Sequence, residues 1–343
     1  MLAERLTAQL VAGPRARDPV AVARRLLAVQ GQDPRGFRLA IRGRSAGLTA
    51  GDVDRALTDQ RTLLVSWLCR GTLHLVASED YHWLHALTTP ALASANARRL
   101  ADAGVSPDVA GRAVQRIERA LADEGPLTRD QLAQRIASAR VRTEGQALVH
   151  ILFLASLRGL IVRGPMIGRQ HAYVLARDWL GPPPRLPGRP RALAELARRY
   201  LVGHAPASER DLARWAGLPL RDARAGLGAI ASALVERPDG LVSLRPSAPV
   251  ETAPQAVLLG AFDPLLVGWR DRTFLTGAHD ATVVSGGVFR PFALVRGRFA
   301  AVWRVENGAR VEISQVVPLS GAERALLDAD ADAVSRFLGH DRP

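Results

Sequence analysis

The segment Leu27–Arg38, LAVQGQDPRGFR, sets two glutamines, Gln30 and Gln32, on either side of one glycine where a helical pattern ends. A carboxamide neither carries charge nor titrates, so it makes a poor acid or base; it offers an acceptor oxygen and a two-proton donor. Two of them in one turn of a strongly basic chain need a reason. Asp33 follows at once. Its carboxylate could act as a base, but an Asp-Pro pair is turn chemistry, and the turn role is the favoured reading.

Other side chains with chemical potential fall into weaker patterns. Ser45 sits in GRSAG (43–47), which matches a nucleophile elbow but lacks a strand before it and a long helix straight after; a turn is expected. His74, His82 and His85 lie close in sequence, yet no third ligand stands at a metal-like spacing, so no metal site is expected. There is no Walker-type loop, and no GxGxxG lies between a strand and a helix. In SWLCRGTLHLV, an extended chain would turn Arg70, Thr72 and His74 to one side, either as a groove lining or as an ordinary solvated face. In FDPLLVGWRDR, the charges of Asp263, Arg270, Asp271 and Arg272 fit an ion-pair cluster, and Arg270 or Arg272 could equally reach phosphate.

The elements that must carry these residues can be read from caps and periods. Apolar positions at helical spacing over 18–29 follow Asp18 as an N-cap. Thr49 with Asp52 reads as a capping pair opening a second helix. TLLVSWLCRGTLHLVA reads as a strand or a strand pair with a tight bend, and a helix runs from Ser78 to Thr89-Pro90. Helices are expected at 110–123, from Thr128 (with Gln131 as capping partner) and at 145–158, followed by two short strands around a Gly/Pro-rich turn. Helix, helix, helix and a basic β-hairpin is the order of a winged helix-turn-helix. After the Pro-rich linker 181–190 the same order recurs, with Ser208 as an N-cap, and the N-terminal 90 residues fit a degenerate third copy. From about 255 the period shortens, with hairpin signals at Asn307-Gly308 and Arg296-Gly297, and an acidic helix closes the chain.

The bulk numbers agree with a DNA-handling chain. The 343 residues are 48% hydrophobic and 23% charged, ample for a core and too ordered in composition for long disorder. No apolar run is long enough to span a bilayer and no secretory signal is read, so the expected location is the cytoplasm, with nucleoid association. One cysteine, Cys69, excludes an internal disulfide framework and a cysteine-based zinc site. All 46 basic residues are arginine, against 33 acidic ones, for a net charge of +13. Codon bias explains arginine over lysine but not the surplus, which favours a polyanionic partner.

Taken together and in order, QGQDP after a helix, SWLCRGTLHLV, FDPLLVGWRDR and GVFRPFALVRGR resemble the AlkZ-type bacterial DNA glycosylases and their YcaQ-like relatives, over nearly the whole chain. The resemblance implies a mainly α fold with β: tandem winged helix-turn-helix modules at 1–108, 109–184 and 185–250 around a basic concave surface, and a C-terminal small β domain, a partial barrel, at 251–343. It implies excision of N7-alkylated purines and, in some members, unhooking of interstrand crosslinks. The family's catalytic motif, glutamine–hydrophobic–glutamine (or aspartate last), falls on Gln30 and Gln32, with Gly31 at the hydrophobic place. An N7-alkylated purine is already cationic and leaves without a general acid, so an amide that orients water behind the sugar is a sensible tool. Without lysine, a Schiff-base mechanism would have only the terminal amine, so a monofunctional, hydrolytic enzyme without cofactor is expected. Expected contacts to double-stranded DNA are Arg70, Thr72, His74, Arg270, Arg272 and Arg290, in a monomer. The alternative is a non-catalytic winged-helix DNA-binding protein or regulator; a third reading, a variant of the first, is self-resistance to one DNA-damaging natural product.

Overall fold

In a computed structural model that describes residues 1–137, 145–168, 170–246, 249–306 and 310–339, Asp18 accepts a hydrogen bond from the Val20 amide at 3.0 Å and Pro19 fills the first helical position. That start is what cap chemistry demands. The chain divides into two compact units, one formed by Met1–Val53 with Arg189–Pro343 and the other by Asp54–Gly188. The second border falls inside the Pro-rich linker.

The first unit begins with α1 (Leu2–Ala8), α2 (Pro19–Leu26), the two-residue strand β1 (Val29–Gln30), α3 (Pro34–Arg42) and the start of α4 (Ala50–Thr58). Thr49 and Asp52 exchange capping bonds at the head of α4. Val20, Val22, Ala23 and Leu26 of α2 are buried, one helical face as the period requires. The unit resumes with α11 (Arg189–His204), against which α2 packs, then α12 (Glu209–Ala216), α13 (Leu220–Ala229) and the short antiparallel pair β6 (Leu234–Glu236) and β7 (Val242–Leu244). Ser208 and Asp211 form a reciprocal capping box on α12. An aromatic core of Tyr200, His204, Trp215 and Trp269 fills this part, with the Tyr200 and His204 rings stacked at 4.6 Å.

The second unit holds β2 (Leu63–Trp67) and β3 (Leu73–Ala77), then α5 (Tyr81–Thr88), α6 (Ala93–Asp102), α7 (Pro107–Glu124), α8 (Arg129–Ala137), α9 (Ala147–Leu157), β4 (Ile161–Ile167), β5 (Gln170–Leu175) and α10 (Ala176–Leu180). Strands β3, β2, β4 and β5 lie side by side, antiparallel. Both β2 and β3 are buried along their whole length, and the apolar α9 packs on the sheet, where Ser156 meets Ser66 of β2 at 3.1 Å.

The C-terminal part of the first unit contains β8 (Ala256–Leu259), the short helices α14 (Pro264–Val267), α15 (Thr273–Thr276) and α16 (Asp280–Val283), and a small hairpin of β9 (Val284–Ser285) and β10 (Val288–Phe289). It then adds β11 (Phe292–Val295), β12 (Arg298–Glu306), β13 (Arg310–Gln315) and α17 (Gly321–Phe337). The sheet runs β13–β12–β11–β8, all antiparallel, with α17 packed on β8. Arg296-Gly297 forms a tight turn with both residues at positive φ, 50° and 76°. Asn307-Gly308 lies outside the described residues, although Glu306 and Arg310 on its two sides face each other across β12 and β13. Among the described residues, no helix is long and apolar enough to cross a membrane.

Candidate active site

Helix α2 ends at Leu27, whose φ of 65° breaks the helical run. Leu27, Ala28 and Val29 are buried, Gln30 is 6% exposed, Gly31 is buried and Gln32 is exposed. The chain therefore passes from core to surface between the two glutamines. Asp33 then stops the excursion: its Oδ1 accepts the Arg35 amide at 2.9 Å and caps α3, and Pro34 opens the helix. This is the turn role, and it engages one of the two carboxylate oxygens.

The first turn of α3 is wedged from the other side. A Cβ on Gly36 would sit 2.5 Å from the Ala261 carbonyl oxygen, and one on Gly260 would sit 2.9 Å from the Gly36 oxygen. Only glycines permit this backbone contact. The segment touching α3 is itself an Asp-Pro cap: Asp263 Oδ1 accepts the Leu265 amide at 2.9 Å. Asp263 also receives both arms of Arg44, at 2.8 and 2.9 Å, while Arg44 donates to Gln9 at 2.7 Å and to the Ala40 carbonyl at 3.0 Å. Gln9, Arg44 and Asp263 are all 0% exposed. The Gln-bearing turn thus leads into a helix seated on a buried, charge-matched network. Ser45, in the same GRSAG segment, donates to the Ile41 carbonyl at 2.9 Å, a structural use that fits the expected turn.

Between Ala261 and Asp263, Phe262 holds a φ of 56°, an unusual conformation for a bulky residue. Its ring lies 5.0 Å from that of Phe289, at the end of the β9–β10 hairpin. Gly286 and Gly287 form the hairpin tip with φ of 57° and 81°, and Val288 is 60% exposed. Arg272 Nε pairs with Asp280 at 2.7 Å, and the Arg272 guanidinium stands 5.6 Å over Phe289. Arg272 is thus tied down in the ion-pair role. Arg270 and Arg290 have exposed side chains; their amides donate to Asp211 and to the Val283 carbonyl.

The expected polar face of Arg70, Thr72 and His74 does not form. Residues Cys69–Gly71 make a single 3-10 turn between β2 and β3, with Arg70 at φ 57° and Gly71 at 73°, so the period of two is broken. Thr72 Oγ1 donates back to the Cys69 carbonyl at 3.2 Å. His74 is 1% exposed with Nδ1 3.0 Å from the Thr72 carbonyl oxygen. Burial, reinforced by the charge of Arg70, pushes its pKa down to about 3. A neutral, enclosed imidazole is a core residue, not a phosphate ligand. Cys69 is also fully buried, and burial raises its thiol to about 11. Among the described residues, no group of His, Cys, Asp and Glu could hold a metal ion.

Sequence reasoning missed Arg44, Gln9, Phe262, Phe289 and the hairpin that carries Phe289. The two Asp-Pro caps and the Gly286-Gly287 pair were the signals available. A model of the AlkZ-like DNA glycosylase family matches residues 23–337. No curated protein matches the sequence. Among solved structures, a Streptomyces sahachiroi DNA glycosylase, AlkZ, superposes with a TM-score of 0.76 at 23% identity, over 99% of this chain and 96% of that one. At that identity the likeness speaks to the fold.

Proposed function

The chain belongs to the AlkZ-like DNA glycosylase family and is thus a hydrolase of N-glycosyl bonds in DNA, and from that premise we propose that its substrates are N7-alkylated purines in double-stranded DNA, bulky adducts and interstrand crosslinks included. The observation that carries the reading is the composition of the turn. Between Leu27 and Pro34 the only titratable side chain is Asp33, and it caps α3. That carboxylate is directed at the start of α3, so the turn sets no further side chain aside to protonate a leaving base. A neutral purine needs one; an N7-alkylated purine already carries the positive charge and departs unaided.

In this reading Gln30 and Gln32 orient a water at the sugar, each amide oxygen accepting a hydrogen bond and the amide dipoles favouring the oxocarbenium-like transition state. The C1′–N9 bond breaks with its electron pair passing to the cationic purine, which leaves neutral; the water oxygen forms the new bond to C1′ and gives up one proton to bulk solvent, and the products are the free alkylated base and an abasic site. With no lysine for a Schiff base, strand cleavage is not part of the reaction. The helix-trio-and-ribbon segments are read as winged-helix modules with the borders at 108, 184 and 250, and Arg70, Arg270 and Arg290 as phosphate contacts of a monomeric, nucleoid-associated enzyme. Family membership favours this over the regulator alternative, which needs no Gln-x-Gln turn.

The test is release of 7-methylguanine from methylated duplex DNA by the wild type, Gln30→Ala and Gln32→Ala. Release that falls sharply in either variant is expected. Duplex binding without release, or release untouched in both variants, would overturn the reading. Detection of β-elimination products from the wild type would overturn its monofunctional part.

A further inference from the structure

Beneath the far end of α3 lies a cavity of about 280 Å³ whose lining includes Arg15, Arg42 and Arg336, with Ser45, Thr49 and Phe337 among its other walls. The three cations come from separate elements: the loop after α1, the last turn of α3 and the last turn of α17. Their charges are not equally compensated. Arg42 is fully engaged, with both arms on Asp330 at 2.5 and 3.0 Å. Asp330 in turn spends Oδ2 on the Leu258 amide at 2.7 Å, so it has little left for a second cation.

Arg15 is different. It is half-buried, and its one described hydrogen bond is a long one, 3.3 Å to the Gly43 carbonyl. Burial lowers its proton affinity and the charge of Arg42 lowers it further, with only partial relief from Asp330. Arg336 is exposed and makes no ion pair among the described residues. The other polar walls are closed: the Thr49 amide and hydroxyl both donate to Asp52, and the Ser45 hydroxyl donates to Ile41. What the cavity offers a ligand is therefore positive charge in guanidinium form, with no carboxylate among its lining residues.

We propose that this cavity is a phosphate-binding site, in which Arg15 and Arg336 grip the oxygens of one phosphate group while Arg42 holds α17 and α3 together behind it. Guanidiniums arriving from several directions match a tetrahedral group with several oxygens better than a planar carboxylate, since each fork can take a pair of oxygens. The phosphate is either one from the DNA backbone or a free phosphate. The inference does not depend on which base is excised.

Inorganic phosphate serves as the probe. Wild type, Arg15→Ala and Arg336→Ala are melted in phosphate and in chloride at equal ionic strength, and their binding to an undamaged duplex is followed against salt. Arg42 is left intact because its loss would disturb packing. The expected result is a higher melting temperature in phosphate for the wild type, lost in both variants. A salt slope that also falls by about one in each variant identifies a DNA backbone phosphate, because one counterion is released for each neutralised contact. An unchanged slope assigns the site to free phosphate. No phosphate-specific gain in the wild type, or a gain that survives in both variants, overturns the proposal. Should Arg15→Ala fold poorly by circular dichroism, Arg336→Ala, at an exposed position, carries the test alone.

Discussion

Gln30 and Gln32 differ in burial, so their truncations should part company. Gln32→Ala removes an exposed side chain; activity should fall roughly 10²-fold, the scale of a single positioned polar group, with melting unchanged. Gln30→Ala should lose activity similarly and also about 1–2 kcal/mol of stability, because Gln30 is 6% exposed. Single-turnover release beside urea denaturation separates the two effects; equal stability loss in both would show that burial does not distinguish them. The Arg44–Asp263 pair allows a sharper test. Asp263→Ala leaves a fully buried guanidinium without its carboxylate and should cost about 3–5 kcal/mol, while Arg44→Met combined with Asp263→Leu should recover part of it, short of the roughly 1 kcal/mol of the lost Leu265 cap. Equal urea midpoints for the single and double variants would refute this account. No reading of the sequence could have joined these residues. They stand 219 positions apart, and neither belongs to a periodic pattern that names the other.

Elements were legible where chemistry is local. Asp18, Asp33, Thr49 and Ser208 all sit at helix starts, because a cap is settled within three or four residues. The strand pair with a tight bend is what forms over Leu63 to Ala77, and the face of Arg70, Thr72 and His74 was misread because it assumed one continuous strand, whereas Arg70 and Gly71 both take positive φ and break the period of two. The β9–β10 hairpin was missed for the opposite reason: two residues per strand carry no alternation, and only the Gly286-Gly287 pair marks it. The contact between α3 and the Gly260–Asp263 turn is the element-scale feature that matters most for the Gln turn. Gly36→Ala would place a methyl 2.5 Å from the Ala261 oxygen and must push the helix start away. We expect a stability loss of about 1–3 kcal/mol and a larger fall in turnover than in duplex affinity. Gly111→Ala, in a helix position with open space, is the control and should be neutral or better. A Gly36→Ala enzyme with normal turnover would show that the turn tolerates displacement.

At the scale of the molecule, among the described residues each unit has one histidine that is almost wholly shut off from solvent. His204 in the first and His74 in the second are both pushed down to about 3, chiefly by burial. The His204 Nδ1 lies 3.1 Å from the Tyr200 carbonyl oxygen and so carries the proton in that bond. The unfolded chain protonates near the ordinary histidine value of 6.5, the folded one only far lower. The stability they confer is therefore complete above about pH 6.5 and is lost progressively as pH falls from there towards 3. Between pH 7 and pH 5 the two should together cost roughly 2–4 kcal/mol, measurable as a falling urea midpoint; a flat midpoint would mean that they titrate normally. The arginine surplus makes a second global prediction, a steep decline of duplex affinity with salt, and a shallow one would count against a basic DNA-binding surface. The single thiol has a consequence of its own. Soft electrophiles that mark guanine N7 also attack thiolates, and this chain presents none: Cys69 is enclosed and held protonated, and there is no lysine amine to take its place. A protein so made resists such electrophiles in its folded state, and iodoacetamide should label it once when unfolded and not at all when native.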